Sequence, residues 1–191
     1  MTADVPTLAG SLLIAMPGLA DPNFWRSVVL LGVHSDEDGA FGLVINRMLD
    51  LNLREILVEL GEESVDSELP DVFAGGPVEP SHGFVLFERG EHNVADDDIV
   101  VSDSLVVSGS TETLARLAHA PQAGRYCLLL GYSGWHPGQL EREIEDNSWV
   151  VAPLDTSIIF DVPVEERWAA ALRSLGIEPG TLVDGGSSEP S

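Results

Sequence analysis

Apolar residues along the chain follow two spacings, one typical of β-strands and one typical of helices. Near the start, three mainly apolar runs at 8–17, 27–34 and 40–47 have the length and composition of strands. The acidic loop SDEDG separates the second run from the third, and its Asp-Gly pair is common in hairpin turns. These runs therefore predict a strand followed by a β-hairpin.

Apolar residues recur at helical spacing in four later segments, at 51–61, at 110–120, after Pro137 and at 164–176. Ser110 or Thr111 is suited to cap the second helix, and glycines end the first and the last. Short apolar runs between the helices predict further strands, among them 83–88, 125–132, 148–153 and 157–163. Hairpins outnumber regular strand–helix–strand units, which favours an α+β protein with mostly antiparallel or mixed sheets and about four helices.

The length and the distribution of apolar residues predict one domain over 7–180. We expect residues 1–6 to form a flexible arm and the polar, glycine-rich residues 181–191 to form a disordered tail. No apolar run approaches the roughly 20 residues that span a bilayer, and the first residues lack the pattern of a secretory signal. The sequence therefore predicts a cytoplasmic protein without a membrane segment.

Charge narrows the possible functions. The chain has 32 acidic and 9 basic residues, a formal net charge of −23, and no lysine. The absence of lysine excludes a Walker A lysine and a Schiff-base lysine. The acidity, with the arginines scattered along the chain, opposes direct binding to DNA, since that binding depends on neutralising phosphates.

The best polar candidates for a ligand site lie at strand ends and around the glycine-rich segment GYSGWHPGQL. Arginine can bind a carboxylate or phosphate through two hydrogen bonds. With so many acidic residues available, internal ion pairs for these arginines, for example with Asp21 or Asp50, are the favoured alternative. In the segment itself, Gly131 and Gly134 predict a sharp turn after a strand, and a fold-defining corner is favoured over a catalytic loop. The candidate cleft residues are Arg26, Asn46, Arg47, Gly75, Gly76, Trp135, Gln139 and Glu141.

No catalytic or metal site is predicted from the other reactive residues. The single cysteine, Cys127, lies within an apolar run and is interpreted as a buried core thiol. The five histidines are too far apart for a metal motif, so we predict no metal and no cofactor. Ser133 lies between a predicted strand and helix, but the surrounding residues depart from the G-x-S-x-G pattern of a nucleophile elbow.

Four blocks together resemble the YqgE/AlgH family of bacterial proteins, in order and spacing: GSLLIAMPGLADPNFWRSVVLL, GAFGLVINR, GGPVEPSHGFVL and GYSGWHPGQLEREIEDNSWVV. The resemblance extends from about Leu8 to about Leu175. It implies a single compact AlgH-like domain of coiled, bifurcated sheets flanked by helices. It also implies the label of transcriptional regulator, which rests on genetic association. This chain departs from the family pattern at Met48, Phe87, Ser133 and His136, where the family commonly has proline, histidine, alanine and glycine.

The resemblance and the missing catalytic set favour a non-enzymatic regulatory or interaction protein that acts indirectly on transcription. Its protein partner or small ligand and its oligomeric state are left open by the residues. The alternative is an enzyme that binds a small molecule or phosphate in a polar cleft near Arg26, Asn46, Arg47 and Gln139. A direct DNA-binding regulator ranks last, because no helix-turn-helix pattern with basic recognition residues is present.

Overall fold

A computed structural model describes residues 7–19, 21–62, 65, 68–120 and 124–184. Nine strands in these residues form one sheet, and all pairings except that of β4 with β8 are antiparallel. The predicted α+β class is confirmed. The strands are β1 Leu12–Ala15, β2 Val28–Ser35, β3 Gly39–Val44, β4 Val72–Ala74, β5 Val78–Glu88, β6 Ile99–Val100, β7 Leu105–Ser108, β8 Tyr126–Trp135 and β9 Trp149–Ala152.

The described residues contain six α-helices, two more than the sequence predicts. Residues 157–163 were predicted as a strand, but Thr156–Phe160 is a helical turn, because the Asp155 side chain accepts a hydrogen bond from the Ser157 N–H and caps it. A last short helix crosses the predicted domain boundary at residue 180, while 1–6 and 185–191 lie outside the described residues. The helices are α1 Leu53–Glu59, α2 Thr111–His119, α3 Gln139–Glu145, α4 Thr156–Phe160, α5 Arg167–Ser174 and α6 Pro179–Asp184.

Strand β8 divides the sheet into two parts. The strand order is β6-β7-β5-β8-β3-β2-β1-β9, and the first part of β8 pairs with β5 and β4 while its end pairs with β3. The sequence predicted that β8 would end in a turn at Gly131 and Gly134, which is wrong. The strand runs through both glycines, and the chain turns at Gly138, where φ is +79°.

Helices cover both faces of the sheet, so most central strands are buried on both sides. Alternate residues of β1 show this arrangement, since neighbouring side chains of a strand point to opposite faces. Leu12 and Ile14 share a cluster with Trp168 of α5, whereas Leu13 and Ala15 share another with Trp135 and α3. Helices α1 and α2 pack against β4, β5, β7 and β8 in a third cluster. Burial on both faces explains the nearly continuous apolar runs in the sequence.

Candidate functional site

A cleft of about 510 Å³ opens where the end of β3, the loop before β2 and the start of α5 meet. Its polar residues are two arginines, one asparagine and one glutamate, and two tryptophans form its flat walls. We call it the arginine cleft. It is lined by Pro22, Trp25, Arg26, Asn46, Arg47, Val164, Glu165, Trp168, Ala169, Pro179 and Gly180.

Asn46 builds this cleft by holding the loop before β2. Its Oδ1 atom accepts a hydrogen bond from the Val28 N–H at 2.9 Å, and its Nδ2 atom donates to the Arg26 carbonyl at 2.8 Å. These bonds continue the pairing of β2 with β3 beyond the end of the strand, as a backbone amide would. Asn46 is therefore a positioning residue, because both ends of its amide already have partners.

The guanidinium of the exposed Arg26 lies against two indole rings. Its guanidinium carbon lies 4.7 Å from the ring centre of Trp25 and 4.9 Å from that of Trp168. The backbone of Arg26 has φ of +51°, a conformation that non-glycine residues rarely adopt and that the Asn46 hydrogen bond helps to maintain. Trp168 is buried and donates from Nε1 to the Ala15 carbonyl at 2.8 Å, so it is a fixed wall.

Arg47 joins the same loop from the other side. Its Nη2 atom donates to the Trp25 carbonyl at 3.0 Å and to Ser27 Oγ at 3.3 Å. Its own carbonyl accepts from the Ala74 N–H, which ties the end of β3 to β4. The guanidinium is thereby held at the cleft wall by neutral partners.

The favoured expectation of internal ion pairs for these two arginines is wrong. Among the described residues, no carboxylate lies within 4.0 Å of the guanidinium nitrogens of Arg26 or Arg47. Asp21 instead accepts from the Asn23 N–H and caps the short 3-10 turn Pro22–Phe24. The cleft thus combines two positive charges with one exposed carboxylate, Glu165, in a chain of net charge −23.

Gly75 and Gly76 lie where the chain crosses β8, between β4 and β5, which both pair with that strand. They are not among the cleft-lining residues. The Gly75 N–H donates to the Leu130 carbonyl at 2.7 Å, and the Gly75 carbonyl accepts from the Val44 N–H at 2.8 Å. A Cβ atom on Gly76 would lie 2.1 Å from the Tyr132 carbonyl oxygen. Ser133 is fully buried and donates to the Gly75 carbonyl, so its hydroxyl is part of the same crossing.

Trp135, Gln139 and Glu141 lie at a different place in the fold. Trp135 packs with Leu13 on the face of β1 and β2 opposite to Trp168, so this group is separated from the arginine cleft by the sheet. Glu143 lies at the centre of this second group. Its Oε2 atom accepts from the Trp135 indole N–H at 2.8 Å and from the Trp149 indole N–H at 3.0 Å. The segment GYSGWHPGQL is therefore a structural corner.

Two further side chains fix this corner. Gln139 Oε1 accepts from the His136 N–H at 3.0 Å, and Gln139 Nε2 donates to Glu143 Oε1 at 3.1 Å. Glu141 pairs with the buried ring of His34. The structure therefore brings Arg26, Asn46 and Arg47 together and places the other five predicted residues elsewhere.

Sequence reasoning missed Trp25 and Trp168 as walls of the cleft. A signal for them was present, because arginine and tryptophan are adjacent at 25–26 and again at 167–168. Within the described part of the chain, no group of three or more His, Cys, Asp or Glu is placed to hold a metal ion. In the same residues, no helix has the length and hydropathy needed to cross a membrane.

The fold and the cleft define an α+β protein built on one open, mostly antiparallel sheet, with an arginine–tryptophan site at the start of β2 and the end of β3. A family model described as AlgH-like matches residues 12–180, and the chain belongs to that family. A UPF0301 protein of Magnetococcus marinus is 42% identical over 178 residues, which cover 93% of this chain and 94% of the relative. A UPF0301 protein of Anaeromyxobacter sp. is 41% identical over 99% of this chain and 100% of its own length.

Solved structures agree with the family assignment. The solution structure of the AlgH protein from Pseudomonas aeruginosa matches with a TM-score of 0.74 and 36% identity, and both chains are covered completely. The crystal structure of a protein from Corynebacterium diphtheriae matches with a TM-score of 0.72 over 95% of this chain and 92% of its own. At 24% identity, this structural match shows a shared fold and no more.

Proposed function

We propose that this chain is a non-enzymatic interaction protein whose arginine cleft recognises a carboxylate-bearing segment of a partner protein. One observation carries the proposal: the Arg26 guanidinium lies against two indole rings and has no carboxylate partner among the described residues. A guanidinium held in this way is oriented before a ligand arrives, which reduces the entropy lost on binding.

The composition of the cleft supports a protein partner. Trp25 is 65% exposed, although a ring of this size is usually more buried in a folded protein. Tryptophan and arginine are enriched among the residues that contribute most of the binding energy at protein interfaces. An exposed indole beside two arginines matches an acidic segment that also contains an apolar or aromatic side chain.

Any effect on transcription would then be indirect and would pass through the partner, in the cytoplasm. The acidic chain repels DNA, and the cleft supplies only two guanidinium groups, far fewer than a duplex contact of useful affinity requires. The repulsion of an acidic partner segment by the rest of the chain is screened beyond about 8 Å at physiological ionic strength. A local positive site can therefore function on an acidic protein.

The alternative of an enzyme using Arg26, Asn46, Arg47 and Gln139 has weaker support. An enzyme of this kind needs all four side chains in one cleft, but Gln139 lies at the structural corner beside Glu143. The Asn46 amide has both of its polar atoms engaged by the backbone. The cleft then offers arginines for binding, with Glu165 as the titratable acid among its lining residues.

The test is fluorescence anisotropy with a labelled peptide of glutamate, glycine and phenylalanine in 0.15 M salt. The same peptide with glutamine in place of glutamate is the ligand control. Arg26→Gln is the variant, and Arg116→Gln, which removes an exposed arginine from α2, is the matched control for the change in net charge. We expect the glutamate peptide to bind roughly 10-fold more tightly than the glutamine peptide, and Arg26→Gln to remove that difference.

Two results would contradict the proposal. Equal binding of the two peptides would show that the cleft does not recognise a carboxylate. An equal loss of affinity in Arg26→Gln and Arg116→Gln would show that binding depends on overall charge and not on the arginine cleft.

A further inference from the structure

A second cavity, of about 520 Å³, lies between the start of β8, strand β4 and helices α4 and α5. We call it the Arg167 cavity. Its walls combine apolar and aromatic side chains with four charged ones, Glu68, Asp71, Arg125 and Arg167, and both Arg167 and Cys127 are buried. The wall residues used below are Leu69, Phe73, Tyr126, Ile159 and Phe160.

Arg167 is a buried cation that forms no direct ion pair, although the carboxylates of Asp71 and Glu165 favour its charge from a longer distance. It is 6% exposed, its Nε atom donates to the Val162 carbonyl at 2.9 Å, and its Nη1 atom donates to the Ile45 carbonyl. The guanidinium carbon lies 5.2 Å from the ring centre of Phe73. No described residue accepts a hydrogen bond from Nη2, and none places a carboxylate oxygen within 4.0 Å of the guanidinium.

The Nη2 edge of Arg167 is accessible from the cavity, because no buried side-chain nitrogen or oxygen of the described residues lacks a hydrogen-bond partner. Removing a guanidinium from water costs several kcal/mol unless it is paired, and burial accordingly lowers the pKa of Arg167. Two neutral carbonyls and one aromatic face contact the rest of the group. An anion that accepted from the accessible Nη2 edge would form a charge-assisted hydrogen bond in a partly enclosed site.

The other charges of the cavity indicate the charge and shape of that anion. The Arg125 guanidinium is engaged by Glu88 at 2.7 Å and by Asp161, which leaves Arg167 as the free cation among the described lining residues. Glu68 and Asp71 are exposed and also line the cavity, so they oppose any anion to some extent and a ligand with two or more negative charges most strongly. The aromatic and aliphatic walls would contact a flat apolar body.

We infer that the Arg167 cavity binds a small monocarboxylic acid with a flat apolar body, its carboxylate on the Nη2 edge of Arg167 and its body against Phe73, Tyr126 and Phe160. This site is separate from the arginine cleft, which faces Trp168 and Arg26. The two sites share the start of α5, where Val164, Glu165 and Trp168 line the cleft and Arg167 lines the cavity.

The test uses benzoate as the probe and benzamide, which has nearly the same shape and no charge, as the ligand control. Two-dimensional NMR of the full chain, including its arginine Nε–H signals, measures both affinity and location. We expect benzoate to bind at least about 10-fold more tightly than benzamide. We expect its largest shifts at Arg167, Phe73 and Tyr126, and unchanged indole signals of Trp25.

Variants separate the cavity from general charge effects and from folding defects. Arg167→Gln should abolish the preference for benzoate, and Arg116→Gln, which removes an exposed arginine of α2 outside both sites, should leave it unchanged. Because Arg167→Gln also loses bonds to two carbonyls and can fail to fold, Leu69→Trp is the second variant, whose larger ring would occupy the cavity without removing Arg167. Leu69→Trp should weaken benzoate binding by about 10-fold or more.

Three outcomes would overturn the inference. The first is equal binding of benzoate and benzamide, and the second is no shift with benzoate at roughly 10 mM, a concentration that detects millimolar affinities. The third is a set of shifts centred on Trp25 and Arg26, which would assign the carboxylate to the arginine cleft.

Discussion

The Nε2 atom of His34 lies 2.5 Å from Oε1 of Glu141, while the Nδ1 atom of the same ring accepts from the Leu8 N–H at 3.1 Å. A backbone N–H can only donate, so Nδ1 is the acceptor and the ring proton is on Nε2, directed at Glu141. The imidazole side chain is 3% exposed. One buried ring therefore joins the segment before β1, the end of β2 and helix α3.

This contact predicts a pH-dependent contribution of Glu141 to stability. Burial opposes its charge, but the hydrogen bond from His34 and further favourable contacts outweigh burial and lower the pKa of Glu141 below its ordinary 4.5. A lowered folded-state pKa means that the charged carboxylate stabilises the fold above pH 4.5, and that this contribution disappears as the pH falls through the folded value. We expect Glu141→Gln to be less stable than the parent at pH 7, by on the order of 1 kcal/mol, and the difference to narrow below pH 4.5.

Urea unfolding of both proteins at several pH values measures this difference directly. Glu145→Gln is the matched control, since Glu145 is exposed on the same helix. Its difference from the parent should be small at every pH. A gap for Glu141→Gln that stayed constant from pH 7 to pH 3.5 would contradict the assigned role.

Glu143 should be a strong determinant of stability at the corner. Its Oε2 atom accepts from the indole N–H groups of Trp135 and Trp149, which are 6% and 2% exposed. Glu143→Ala leaves two buried donors without partners, at a cost of about 2–4 kcal/mol in the free energy of unfolding. Glu143→Gln keeps one carbonyl oxygen as an acceptor and should cost roughly half as much. Chemical denaturation followed by tryptophan fluorescence measures both, and equal stabilities of the two variants would argue against the shared acceptor.

Gly76 should tolerate no side chain, because the chain crosses β8 at that point. A Cβ atom would lie 2.1 Å from the Tyr132 carbonyl oxygen, and backbone cannot move aside there without breaking the crossing. Gly76→Ala should cost more than about 3 kcal/mol or prevent folding. Gly61→Ala is the control: it has φ of +87° but no atom within 4 Å of a new Cβ, so it should cost about 1 kcal/mol. Thermal unfolding compares the stabilities of the two variants. Similar losses of stability would show that the close approach of Gly76 to β8 does not cause the destabilisation.

Cys127 should react very slowly in the folded protein. Burial raises the pKa of the thiol to about 12, although the charge of Arg167 opposes the rise. The thiolate is the reactive form, so we expect Ellman's reagent at pH 8 to react with the native protein at least about 100-fold more slowly than with the protein unfolded in urea. The free cysteine of a short reference peptide calibrates the assay. Comparable rates for the folded and unfolded chains would place the thiol in an accessible environment.

DNA should not bind even at low salt. Titration of a random labelled duplex with the protein at about 20 mM salt tests this, because non-specific binding to phosphates is strong at low salt. We expect no change in anisotropy, since the formal net charge is −23 and the cleft offers only two guanidinium groups. Binding that weakened steeply with added salt would instead point to a cationic face and to direct regulation.

The sequence alone determined the elements whose signals are local. Helix α2 begins after Ser110 as predicted, because the cap and the apolar spacing of Leu114 and Leu117 lie within a few residues of each other. The hairpin of β2 and β3 turns at the Asp38-Gly39 pair for the same reason. The motifs of the family were also readable directly, and the predominance of hairpins predicted the α+β class correctly.

Tertiary structure decided what depends on contacts between distant residues. The apolar pair Ile158 and Ile159 fits a strand or a helix equally well in so short a run, and packing against α5 with the cap at Asp155 selected the helix. The predicted site residues were divided for a similar reason, because Arg26 and Gln139 lie on opposite faces of the sheet. The spacing of residues within a segment does not show on which face of the sheet a loop will lie. Local signals specify elements, whereas the sites are formed by residues more than a hundred positions apart, such as Arg26 and Trp168.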